Sequence, residues 1–103
     1  MGKRPGKREK VLESARACLA AGLYRDTRHA ADRRQQREVT LMELKYVIQN
    51  GFHEKAKDEY KPEHGTWNYA IRGKTLDGRS LRIAVSFEGV DLLLIITAID
   101  LDV

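Results

Sequence analysis

The segment that decides the fold is WNYAIRGKT (67–75), followed by DG (77–78) and SLRIAVSFE (80–88). In both longer runs apolar and polar residues alternate with a period of two, which places successive side chains on opposite faces of a β-strand. Asp-Gly between such runs is typical of a type I′ turn, because that turn needs positive φ at its central residues. The segment therefore predicts an antiparallel hairpin. The face that helices should cover holds Trp67, Tyr69, Ile71, Leu81, Ile83, Val85 and Phe87.

Further elements are predicted on both sides of this hairpin. Residues 52–60 alternate imperfectly and predict a first strand, whereas residues 91–99 are apolar on both faces and predict a central strand. Upstream, amphipathic spacing predicts a helix over 8–21 ending at Gly22 and a second over about 27–37. A third helix should begin at a Thr40–Glu43 capping box and stop at Asn50-Gly51, where both residues tolerate positive φ. The predicted fold class is α+β, with two to three N-terminal helices followed by a four-stranded, mainly antiparallel sheet.

Size and composition are those of one small domain. The chain has 103 residues, and we expect a mobile basic tail over 1–7 and a single α+β domain over 8–103. No apolar run approaches the roughly 18 residues of a membrane span, and no apolar segment of a secretory signal follows the basic start. The lone Cys18 fits a reduced compartment, so the predicted location is the cytoplasm.

Positive charge is concentrated in two places. Residues 1–37 carry eleven Lys or Arg against four Asp or Glu, although the net charge of the whole chain is only +4. The alternation also places Arg72, Lys74 and Arg82 together on the exposed face of the predicted sheet. His53, Lys55 and Lys57 join them if the first strand keeps the same register. Such cations must either meet acids or bind an anionic ligand, most often nucleic acid; the plainer alternative is a solvated sheet face.

The predicted second helix carries a further basic group. His29, Arg33 and Arg37 are spaced i, i+4, i+8 and therefore share one face. A histidine beside arginines can transfer protons and clamp a phosphate, but it can equally be a surface residue bonded to a backbone carbonyl. The three histidines and Cys18 lack metal-ligand spacing, and no phosphate-binding glycine loop is present. The sequence predicts no metal and no cofactor.

A longer pattern runs through these elements. His29-Ala30-x-x-Arg33-x-x-x-Arg37-x-Val39-Thr40, the two hairpin strands and Leu94-Ile95-Ile96-Thr97 resemble a family of short, mostly bacterial proteins classed as a domain of unknown function. The resemblance covers about residues 26–99. That family is similar in layout to the RelE/ParE-like ribonuclease toxins, in which helices precede a sheet with a basic exposed face.

The resemblance implies an RNA-directed function, with RNA or the ribosome as ligand and a small antitoxin-like protein as partner. It makes His29, Arg33 and Arg82 candidate catalytic residues of a ribonuclease. The candidate RNA-binding residues are Arg37, His53, Lys55, Lys57, Arg72 and Lys74. RelE-like enzymes generally add a C-terminal tyrosine or histidine, whereas here Asp100 and Asp102 stand near the end, and solvated acids at that strand terminus would repel a phosphodiester.

The alternative is a non-enzymatic protein-interaction module that keeps only the toxin-like fold, because a shared fold does not fix function. The acidic strand end and the missing terminal acid–base residue favour it.

Overall fold

The computed structural model describes residues 5–28 and 39–102. In chain order the elements are α1 (Val11–Ala21), β1 (Tyr24–Asp26), α2 (Leu41–Asn50), β2 (Phe52–His53), a 3-10 helix (Lys55–Lys57), β3 (Glu59–Lys61), β4 (Thr66–Lys74), β5 (Ser80–Glu88) and β6 (Leu92–Asp100). The α+β class is confirmed. The second predicted helix falls mostly on residues 29–38, which lie outside the described ranges.

The sheet has six strands in the described ranges, where the sequence predicted four. Its order is β1-β6-β5-β4-β2, and β3 pairs with the same edge of β4 as β2 does. All neighbours are antiparallel except β1, which runs parallel to β6. The period of two could not reveal β1, because a strand of three residues contains too little alternation.

The predicted first strand, 52–60, is interrupted, and the reason is local. The backbone N–H of Ala70 donates to the Asp58 carboxylate (2.9 Å), which takes the place of a backbone acceptor on the edge of β4. The chain therefore leaves the strand ladder between β2 and β3 and makes one turn of 3-10 helix there.

Both described helices pack on one face of the sheet, which we call the helix-covered face. Leu44, Ile48, Ile71, Ile83 and Ile95 are each fully buried between the two layers, and each such side chain stabilises the fold by about 1.5–3 kcal/mol. The opposite face, the outer face, is covered by neither α1 nor α2. The prediction that β6 is central is confirmed, since it lies between β1 and β5, but Ile99 on its outer face remains 40% exposed.

The ends of the two helices follow the predicted signals in part. Gly22 ends α1 in the left-handed region (φ 74°), and the Thr40–Glu43 capping box of α2 is present. Gly51, however, has φ −91°, so positive φ is not why a glycine stands there. A Cβ on Gly51 would lie 2.6 Å from the carbonyl oxygen of Val47 and would also overlap the carbonyl oxygen of Arg72. Glycine is needed because α2 and β4 approach closely at this point.

The hairpin between β4 and β5 is confirmed, but its turn is wider than type I′. Gly78 has φ 88°, whereas Asp77 does not have positive φ. The connection spans residues 75–79 and closes with a bond from Thr75 N–H to the carbonyl of Arg79 (2.9 Å).

The expectation of a solvated acidic terminus is wrong for Asp100, whereas Asp102 is exposed. Asp100 lies opposite Leu81 on the helix-covered face and is buried. Its carboxylate accepts bonds from the Arg79 guanidinium (3.4 Å) and from the Asp102 N–H (2.9 Å). The alternation in the sequence predicted this strand but not the face on which its last residues lie. The reason is that the register shifts at a β-bulge next to Ala84 and Val85.

Candidate functional site

One row of side chains crosses the outer face from β2 to β6. In the strand register Phe52 lies opposite Arg72, Arg72 opposite Arg82, and Arg82 opposite Ile99. We call these four residues the arginine row. The predicted placement of Arg72 and Arg82 on one face is therefore confirmed, and they are directly paired across two neighbouring strands. Like charges in that arrangement repel one another unless an acid or an anionic ligand lies between them.

Glu54 supplies that acid. Its carboxylate accepts from Arg82 Nε at 2.7 Å and from Arg72 Nη1 at 3.2 Å. The hydrogen bond from Arg82, with a smaller contribution from Arg72, holds the pKa of Glu54 below its usual range although burial of the carboxyl opposes this. The glutamate therefore stays ionised at neutral pH and fixes both guanidinium groups.

The charge of the arginine row is only half compensated by this carboxylate. Two guanidinium groups share one negative charge, so one positive charge remains. The Arg72 side chain is 42% exposed, against 24% for Arg82. Arg72 is consequently the better placed of the two to contact a ligand, while Arg82 is held more firmly by Glu54.

The ends of the arginine row are apolar and open to solvent. Phe52 is 54% exposed and Ile99 is 40% exposed. Phe52 was not predicted as a site residue, because a common register for 52–60 and the hairpin put His53, not Phe52, on the outer face. An exposed aromatic ring beside two arginines offers a stacking surface next to cationic donors.

His53 lies on the opposite face from the one predicted. It pairs with Ile71 on the helix-covered face, and its Nε2 contacts both oxygens of Asp58 (3.0 and 2.9 Å). The shared register failed because β2 is only two residues long and starts directly after Gly51. His53 therefore does not extend the cationic surface formed by Arg72 and Arg82.

Asp58 ties the start of the described chain to the sheet. Its side chain has no exposed surface, and it also contacts Lys7 Nζ at 2.8 Å. Nearby, the Trp67 indole N–H donates to the Pro5 carbonyl (2.8 Å) and the Arg8 N–H donates to the Tyr69 hydroxyl (2.8 Å). Of the segment 1–7 that we expected to be a tail, Pro5 and Lys7 thus contact Trp67 of β4.

The remaining predicted basic residues are spread out. Lys74 is exposed at the end of β4, two residues from Arg72 and on the same face. Lys55 and Lys57 are exposed, but they lie in the 3-10 helix and not in a strand. His29, Arg33 and Arg37 lie outside the described residues, so their roles stay predictions.

Other kinds of site have no support in the described part of the chain. Within residues 5–28 and 39–102 no group of three or more His, Cys, Asp or Glu side chains could hold a metal ion. No helix in those ranges has the length and apolar character needed to cross a membrane.

Comparisons with known proteins identify the family and nothing narrower. No curated protein and no solved structure matches the chain. The family model described as "Domain of unknown function (DUF4258)" matches residues 27–100, which is 74 of the 103 residues. The match does not extend to the RelE/ParE-like toxins, and a specific role for the His29 motif stays a prediction. Because the match covers well over half of its length, the chain belongs to the DUF4258 family.

Proposed function

We propose that this protein binds RNA through the outer face of its sheet, with the arginine row as the phosphate-binding site. The observation that carries the proposal is the sharing of Glu54 by Arg72 and Arg82, which leaves one positive charge on a face that neither described helix covers. Arginine is well suited to a phosphate ligand, because its planar fork of N–H donors matches two phosphate oxygens.

Three residues of the arginine row and the neighbouring Lys74 have distinct parts in this proposal. Arg72 contacts a phosphate with its exposed N–H groups, and Arg82, fixed by Glu54, supplies a second cation beside it. Lys74 continues the positive surface along β4. The exposed ring of Phe52 stacks on an unpaired base, an interaction that typically contributes about 1–3 kcal/mol per base.

RNA cleavage is a further step of the proposal, with His29, Arg33 and Arg82 as candidate catalytic residues. One argument against it is weakened. The Asp100 carboxylate points to the helix-covered face and is bonded to Arg79, so it does not repel a phosphate bound at the arginine row.

A protein partner is the second candidate, and the exposed Phe52 and Ile99 favour it. Apolar side chains at both ends of a charged pair also occur in protein interfaces, where aromatic residues and arginine are enriched. The two candidates differ in their response to salt, because RNA binding releases counterions and weakens steeply as salt rises.

The test is the affinity for a fluorescein-labelled single-stranded RNA, measured by fluorescence anisotropy at several salt concentrations. We expect Arg72→Ala to weaken binding about tenfold and to reduce the slope of log K against log salt by about 0.7, the value for one phosphate contact. Lys45→Ala removes the same charge from α2, where Lys45 lies over the Tyr24 ring, and should change neither quantity.

Two results would count against RNA binding at the arginine row. The first is equal loss of affinity in both variants, which would indicate a general charge effect. The second is the absence of any salt-dependent binding by the folded wild-type protein. Electrophoresis of the same RNA after incubation reports whether it is cleaved.

A further inference from the structure

A groove of about 570 Å³ lies on the outer face at the opposite end of β4 from the arginine row. Its floor includes Leu94 and Ile96 of β6, and Asn68 and Ser86 of β4 and β5 lie beside them. This volume falls within the range of about 300–1,000 Å³ that is usual for small-ligand sites.

The turn after β3 forms one wall of the groove. His64 and Glu63 belong to this turn, which is closed by a bond from the His64 N–H to the Lys61 carbonyl (3.0 Å). The result is a slot with apolar side chains below and polar side chains along its rim. A flat, largely apolar ring with hydrogen-bonding edges has the complementary shape and chemistry.

The charge of the groove differs from that of the arginine row. Glu63 and Glu88 both line it, and the one lysine of its lining, Lys61, forms an ion pair with Glu59. The groove is therefore weakly acidic and repels a phosphate, whereas a neutral ring is not repelled. Carboxylates on the rim also provide acceptors for exocyclic amino groups, which adenine and cytosine have and uracil lacks.

The groove and the arginine row lie on the same face of the sheet. Asn68 and Arg72 are four residues apart on the same side of β4, a separation of about 13 Å. Between them on the outer face, Ala70 pairs with Ala84 of β5, and Ala84 pairs with Thr97 of β6. Ala70 is only 3% exposed, so a strand that reaches both sites passes over the groups that cover this residue.

We infer that the groove binds an unpaired nucleobase of an RNA strand whose phosphates lie on the arginine row. This inference rests on the proposed RNA binding and adds that the ligand is single-stranded and held by a base as well as by its backbone. In this arrangement Leu94 and Ile96 contact the face of the base, and the Asn68 amide bonds to its edge. Glu88 accepts from an exocyclic amino group.

The experiment compares two labelled strands of equal length, a single-stranded oligoadenylate and the same sugar–phosphate strand without bases. The wild-type protein should bind oligoadenylate at least about tenfold more tightly than the abasic strand, because Phe52 and the groove each contact a base. Asn68→Ala should reduce this ratio severalfold and leave the affinity for the abasic strand unchanged. Arg72→Ala should weaken the binding of both strands and preserve their ratio.

A second variant tests the base site independently, in case Asn68→Ala disturbs the sheet. Glu88 is exposed at the end of β5, so Glu88→Gln should leave the fold intact. It should lower the preference for oligoadenylate over oligouridylate.

The outcomes separate the two proposals. Salt-dependent binding of both strands with equal affinity overturns the base site and the stacking on Phe52, and leaves phosphate binding at the arginine row intact. The base site is also overturned if Asn68→Ala leaves the preference for oligoadenylate over the abasic strand unchanged and Glu88→Gln leaves the preference for oligoadenylate over oligouridylate unchanged. Failure of the folded protein to bind either strand overturns both proposals.

Discussion

Replacement of Glu54 by glutamine should strengthen RNA binding while making the protein less stable. Glutamine keeps the shape of the side chain and one oxygen acceptor for Arg82, but it removes the negative charge between the two arginines. The free arginine row then carries two uncompensated charges instead of one. Losing a charge-assisted bond to a partly exposed carboxylate should cost about 1 kcal/mol of unfolding free energy.

The size of the gain in affinity follows from the geometry. Arg72 Nη1 lies 3.2 Å from the Glu54 carboxylate, and a phosphate oxygen bound to the same nitrogen would lie about 2.8 Å away on its other side. The two anions are then about 6 Å apart. With an effective dielectric constant between about 20 and 80, their repulsion is about 0.7–2.8 kcal/mol. Its removal should raise the affinity about tenfold, within a range of about three- to a hundredfold.

The assay is fluorescence anisotropy with a labelled single-stranded RNA at one fixed salt concentration, together with urea unfolding of the same samples. Glu13→Gln is the matched control, because it removes the same charge from an exposed position on α1 in the helical layer. We expect it to leave the affinity nearly unchanged. Unchanged or weaker RNA binding by folded Glu54→Gln would refute the placement of a phosphate at the arginine row. A gain in stability would refute the role assigned to Glu54 in holding the arginines.

Three other predictions concern the fold that supports the arginine row. Gly51→Ala should lower the unfolding free energy by about 3 kcal/mol, because its Cβ would meet backbone carbonyl groups; Gly6→Ala, whose Cβ meets nothing within 4 Å, should change the urea midpoint little. The pKa values of Glu43 and Glu54 are held below the ordinary 4.5, chiefly by hydrogen bonds from the Thr40 N–H and from Arg82 respectively. Both residues therefore add stability above about pH 4.5 that is lost as the pH falls through their lower folded values, and Glu43→Gln should flatten the decline in urea stability between pH 5 and pH 3. Burial raises the pKa of the Cys18 thiol, so its reaction with a thiol reagent at pH 8 should stay slow until urea unfolds the protein; a fast reaction of the folded state would contradict its burial.

The elements with strong local signals were predictable. The capping box begins α2 at the expected residue because two side chains satisfy free N–H groups reciprocally, an interaction that depends on four consecutive residues. The hairpin strands β4 and β5 were predictable because each alternates over nine residues. The placement of Arg72 and Arg82 on one face followed from the same alternation, whereas their direct pairing is seen in the register.

Features that depend on distant contacts were not predictable. β1 exists because three residues pair with β6 some seventy positions later, and no local pattern marks them. Glu54 could not be identified as the partner of Arg82, since the strand predicted over 52–60 gave its side chain no reason to turn towards β5. The close approach that requires glycine at position 51 likewise depends on the carbonyl of Arg72.

The parity of one short strand decides what chemistry the arginine row can perform. Because Phe52 and not His53 lies opposite Arg72, the row has an aromatic ring where the sequence predicted an imidazole. Arginine does not lose its proton in proteins, so neither Arg72 nor Arg82 can serve as a general base. The row is therefore suited to hold a phosphate and stack a base, but not to move protons.

If the protein cleaves RNA, acid–base catalysis must come from residues other than these four, and His29 of the helix motif is the candidate that the sequence provides. Loss of cleavage with unchanged RNA affinity in His29→Ala would support acid–base catalysis by His29 and RNA binding by the arginine row. Loss of RNA affinity as well would place His29 in the binding surface.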